Sequence, residues 1–106
     1  MKKKETKRTL KEADWKYIVS EHGGHHEWLF FSKMIGEQCY VLIWKLHTNR
    51  IWLIESEYKV TDASTFVNYF RYKRTCILEK KEVTLDNIVE TIEDATKKEN
   101  KDSNLG

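Results

Sequence analysis

Residues 28–58 read WLFFSKMIGEQCYVLIWKLHTNRIWLIESEY, three apolar and aromatic runs separated by two turn signals. The first run, 28–35, ends at Gly36-Glu37, and glycine at the first turn position marks a two-residue type II′ hairpin. Such a turn opposes Ile35 to Gln38. The second run, 39–46, meets His47-Thr48-Asn49-Arg50 before the third, 51–58, and a Thr48-Asn49 turn would oppose His47 to Arg50. Three strands joined by short turns predict an antiparallel meander.

Side chains alternate across a strand and opposed residues share a face, so these registers can be propagated. One face collects Leu29, Phe31, Tyr40, Leu42, Trp44, Leu46, Ile51 and Leu53, with Lys33 and Glu55 at its ends, and reads as core. The other collects Trp28, Phe30, Ser32, Val41, Ile43, Lys45, Trp52, Ile54, Ser56 and Tyr58, aromatic but mixed. A three-residue turn over 36–38 would reverse the faces of the first of these strands.

Outward from the meander, Trp15, Tyr17 and Val19 alternate with Lys16, Ile18 and Ser20, the period of a preceding strand. It runs into 21–27, EHGGHHE, where paired glycines permit positive φ and end the ladder. After Val60, Thr61 or Asp62 can cap a helix with Ala63, Phe66, Val67 and Phe70 at i, i+3, i+4 and i+7. Cys76-Ile77-Leu78 can add an edge strand. Thr84 can cap a second helix with Leu85, Ile88, Val89, Ile92 and Ala95 on one face. Residues 1–12, MKKKETKRTLKE, read as a basic flexible arm, 13–96 as a single domain and 97–106 as a frayed polar tail. The expected fold is α+β: a twisted antiparallel meander of four to five strands, with a small barrel as its closed limit, packed by two helices.

A chain of 106 residues buries roughly two-thirds of its unfolded surface, enough for a real core. The 34% charged content is balanced by 40% hydrophobic residues, including four Trp, five Tyr and four Phe, which excludes global disorder. A net charge of +2 places any electrostatic argument on local clusters. Cys39 and Cys76 form no CxxC and indicate neither a disulfide framework nor a zinc knuckle. With no signal-peptide pattern and no run of 18 apolar residues, the expectation is a cytoplasmic protein without membrane association.

No motif assigns catalysis, a metal or a cofactor. His22, His25 and His26 lie within five residues, but their spacing matches neither HExxH nor a common zinc site. Ser20, Ser32, Ser56, Cys39 and Cys76 sit in no nucleophile elbow. The segment Trp15-x7-Gly23-Gly24-His25-His26 resembles the GW…GSHH segment of HicA-type toxins, with Gly24 in place of the serine. That resemblance implies a small ribonuclease of double-stranded-RNA-binding-like fold with His25 or His26 as catalytic base.

Binding offers the stronger reading. Trp28, Phe30, Trp52 and Tyr58 share a predicted face with Lys45, and Arg71, Lys73, Arg74, Lys80 and Lys81 are expected to form a basic rim nearby. Single-stranded RNA or DNA is bound by such surfaces: bases stack on rings at roughly 1–3 kcal/mol each, and cations follow the phosphates. The first expectation is therefore a non-catalytic nucleic-acid-binding regulator. The second is a protein-interaction module, such as an inhibitor, an immunity protein or a homodimer subunit, using the same aromatics as its hot spot.

Overall fold

The computed structural model describes the backbone of residues 2–105 and the side chains of 3–97. Five antiparallel strands form one sheet in sequence order: β1 (Lys16–Gly23), β2 (His26–Ile35), β3 (Gln38–Lys45), β4 (Arg50–Ser56) and β5 (Arg74–Lys80). Helix α1 (Lys2–Glu12) precedes the sheet, the single turn α2 (Ala63–Phe66) lies between β4 and β5, and α3 (Ile88–Leu105) follows. The architecture is α+β, and the sheet stays open, with β1 and β5 as its edges. Among the described residues no helix is long and apolar enough to cross a membrane.

Gly36-Glu37 is the expected two-residue turn, with Ile35 opposite Gln38 and a positive φ of 63° at Gly36. The next turn differs from expectation. Lys45, not His47, opposes Arg50, because Leu46 leaves the ladder to donate its backbone N–H to the Glu27 carbonyl at 3.0 Å. Asn49 closes the longer connection at φ 54°, a left-handed conformation that asparagine tolerates. The register moves by two residues, which leaves every side chain on its predicted face.

Leu29, Phe31, Tyr40, Leu42, Trp44, Leu46, Ile51 and Leu53 accordingly form one buried cluster with Leu10, Trp15, Val83, Ile88 and Ile92. Residues of α1 and α3 thus join the first sheet face in one core. The segment expected as a flexible arm is a docked helix: Leu10 and Thr6 are fully buried, and Lys3 Nζ meets Glu27 Oε2 at 2.6 Å. That hydrogen bond from the Lys3 ammonium holds the Glu27 carboxyl below its usual range. Met1 and Gly106 lie outside the described residues. The backbone of the predicted tail continues α3 as far as Leu105, and its side chains beyond Lys97 lie outside the described residues.

On β1 the ladder continues to Gly23 opposite His26, so the predicted loop over 21–27 contracts to the turn Gly24-His25 with φ 62° at Gly24. A bulge between Tyr17 and Val19 turns Ile18 toward the second face. There Ile18, Phe30, Cys39, Val41, Val60, Phe66 and Tyr69 form a separate cluster. Both cysteines are free; Cys39 is buried, which raises its thiol pKa, and Cys76 is exposed.

The segment over this second cluster departs from the predicted helix. Asp62 and Thr65 form a reciprocal capping box, but α2 lasts one turn and a 3₁₀ turn, Tyr69–Arg71, follows. Phe66, the last residue of α2, and Tyr69, the first of the 3₁₀ turn, point inward. Val67 and Phe70, predicted on the buried stripe, are instead 71% and 57% exposed.

Burial pushes the Tyr69 phenol from 10.0 up to about 12, against the opposing pull of Arg74. A group whose folded pKa is raised contributes stability that is complete below its unfolded pKa and is lost as pH climbs toward the folded value. At roughly 1.4 kcal/mol per unit, this predicts a loss of about 2–3 kcal/mol between pH 10 and 12. Urea unfolding of the wild type and Tyr69→Phe across that range checks it: the variant should decline less steeply, and parallel declines would contradict the assignment.

Candidate interaction surface

The second sheet face is built from four cross-strand rows, the last of them Met34, Cys39, Ser56 and Arg74. The first is Glu21, Trp28, Lys45 and Arg50; the second is Val19, Phe30, Ile43, Trp52 and Glu79; the third is Lys16, Ser32, Val41, Ile54 and Cys76. Val60, Phe66 and Tyr69 cluster with Phe30 and Val41, and the Phe66 ring lies 4.9 Å from that of Phe30. Trp28, Ile43, Trp52 and Ile54 remain half-buried. With Glu21 and Phe30 they line an open groove of about 340 Å³.

Each tryptophan is held by its neighbours. Gly23 lies beneath Trp28, and a Cβ at that glycine would come within 3.0 Å of the indole. Lys45 Nζ lies 5.8 Å from the Trp28 ring centroid, and the His26 ring is 5.9 Å away on another side. Trp52 donates its indole N–H to a Glu79 carboxylate oxygen, while the Arg50 guanidinium lies 4.8 Å from its ring centroid. Arg50 and Glu79 are paired at 3.0 Å, so the groove ends in a neutralised ion pair.

The structure brings together Trp28, Phe30, Lys45 and Trp52 as predicted and disperses the remaining candidates. Tyr58 belongs to the cover, stacked on Tyr72 at 4.5 Å with its hydroxyl accepting from Asn68. Arg74 lies over the rings of Tyr69 and Phe70 at 5.1 and 4.9 Å, and Arg71 projects into solvent beside them. Lys73 lines a separate hollow with Glu55 and Glu57. Lys80 opposes Ile51 and therefore takes the helix-covered side of the β5 edge, and Lys81 follows the strand. The bulge at Ile77 sets this outcome, since it puts Glu79 rather than Leu78 opposite Trp52 and moves Lys80 from opposite Arg50 to opposite Ile51.

Sequence reasoning passed over Glu21, Arg50 and Glu79. Arg50 was within reach, because a four-residue turn places it beside Lys45; Glu79 required knowledge of the bulge. The loop histidines do not converge: His22 Nε2 reaches Glu27 at 3.3 Å on the helical side, whereas His26 lies beside Trp28 and 6.2 Å from His47 on the other. His25 stands exposed at the hairpin tip. Among the described residues no group of three His, Cys, Asp or Glu side chains is placed to hold a metal ion. No protein-family model, curated protein or solved structure matches the chain.

Arg50 and Glu79 are both substantially solvated, and exposed pairs contribute at most about 1 kcal/mol. Glu79→Ala should therefore leave the unfolding free energy within about 1 kcal/mol of wild type while altering the emission of Trp52. Urea unfolding followed by Trp fluorescence checks this. A loss of several kcal/mol would mean that the pair supports the fold itself.

Proposed function

We propose that this chain is a non-catalytic interaction module that joins a second copy of itself through the uncovered end of its sheet. The observation that supports this is complementarity on one side of the molecule. A concave apolar groove lies beside a convex apolar ridge, Val67 and Phe70, with Phe30 and Phe66 in contact between them. Glu21 borders the groove and Arg71 the ridge, and neither meets an oppositely charged side chain among the described residues. A two-fold axis places the ridge of each copy in the groove of the other, the self-complementary arrangement that closed dimers require.

Single-stranded nucleic acid is less well served at this groove. Carboxylates stand at both of its borders, Glu21 and Glu79, and the Arg50 charge is already paired. Lys45 beside Trp28 is offset by Glu21 in the same row, so phosphates following the stacked bases would find no net positive charge there.

Trp28 and Trp52 then act as hot spots, whose truncation costs about 2 kcal/mol or more, or roughly thirtyfold in dissociation constant. Sedimentation equilibrium should show a dimer, weakened to that extent by Trp52→Ala. Arg71→Glu and Glu21→Lys should each weaken self-association, and their equimolar mixture should restore it, because both contacts of the mixed dimer are then oppositely charged. A monomer at all concentrations, failed restoration, or displacement of the second copy by an oligonucleotide would overturn the reading.

A further inference from the structure

A second concavity, of about 490 Å³, lies where α1 meets the start of β1 and is lined by Lys7, Lys11, Asp14, Trp15, Lys16 and Tyr17. We propose that it holds the phosphodiester backbone of a single-stranded nucleic acid. This site is separate from the apolar groove and does not depend on self-association.

The pattern of α1 carries the argument. Thr6 and Leu10 are fully buried, and Lys4, Lys7, Arg8 and Lys11, spaced i, i+3, i+4 and i+7, form a cationic stripe flanked by the exposed Glu5 and Glu12; of this stripe, Lys7 and Lys11 line the concavity. Like charges at these spacings disfavour the helix, and an anion lying along the stripe removes that repulsion. Lys3 is neutralised by Glu27, whereas Lys7 and Lys11 have no carboxylate partner among the described residues. Lys16, whose register position lies on the second sheet face, joins the lining from the edge strand β1 and is likewise without a carboxylate partner among the described residues. Lys7 is held with Nζ 3.8 Å from the Tyr17 ring centroid, so its charge is fixed at the mouth of the cleft. Lys33 lies outside the lining, donating to the Ala13 carbonyl at 2.8 Å with Nζ 6.0 Å from the Trp15 ring. Asp14 is the one carboxylate lining the concavity.

The aromatic residues fix which part of the ligand is bound. Trp15 is buried, and Lys7 occupies the face of Tyr17, so no free ring is offered to a base. The cleft therefore contacts phosphates and ignores sequence. A concave site also suits a chain better than a planar membrane, and none of the exposed large apolar side chains, Met34, Val67, Phe70 and Tyr72, lines it.

Fluorescein-labelled oligothymidylate titrated with the full chain across a salt series tests the proposal. Three lysines on a single strand predict that log K falls with log salt at a slope of about −2, at roughly 0.7 per phosphate. Lys11→Gln should reduce that slope by about 0.7, and Lys7→Gln combined with Lys11→Gln and Lys16→Gln should abolish binding with the circular dichroism spectrum unchanged. Binding should persist in Trp52→Ala. No binding at low ionic strength, binding that survives the triple change, loss in Trp52→Ala instead, or capture of phosphatidylserine vesicles in place of the oligonucleotide would each overturn it.

Discussion

The pairing of β2 with β3 across Gly36-Glu37 is the constraint on which the rest of the structure depends. A shift of one residue there would exchange the two sheet faces, carrying Leu29 and Phe31 out of the first cluster and bringing Trp28, Phe30 and Ser32 in their place. The turn prevents this because glycine supplies the positive φ of a two-residue hairpin without steric cost. Once those faces are set, Tyr40, Leu42 and Trp44 extend the core across β3, and Ile51 and Leu53 carry it into β4. The packing of Leu10, Ile88 and Ile92 against this face follows from the same parity.

The second face has a different balance. The connection between β4 and β5 places only a capped single turn and a 3₁₀ turn over the sheet, enough to bury Phe66 and Tyr69 but not to reach Trp28 and Trp52. Its brevity produces both halves of the proposed interface. The uncovered sheet rows form the groove, and the change from α to 3₁₀ geometry turns Val67 and Phe70 outward as the ridge. Lys45 and Arg50 stay beside the tryptophans, balanced by Glu21 and Glu79, while the other expected cations are dispersed from this groove.

What was legible in the sequence was whatever depends on period two. Alternation alone puts Trp44 and Leu42 in the core: the Thr48-Asn49 turn differs from the observed connection by two residues of register, and an even shift preserves faces. Trp28, Phe30, Lys45 and Trp52 were brought onto one surface for the same reason. Lys80 was not legible, since one extra residue at Ile77 reverses the parity of an edge strand and leaves no mark in composition. The docking of α1 was also hidden: a single leucine, Leu10, anchors a helix that is otherwise almost wholly charged.

The central claim is that two of the four tryptophans are structural and two form a recognition surface. Fluorine NMR of the full chain carrying 5-fluorotryptophan, recorded over a range of protein concentrations and in light and heavy water, tests it most directly. Trp15 and Trp44, buried in the first cluster, should show neither a solvent isotope shift nor a concentration dependence. Trp28 and Trp52 should show both, losing their solvent shift as the second copy covers them. Four resonances indifferent to concentration, or a response from Trp15 and Trp44 in their place, would contradict the account.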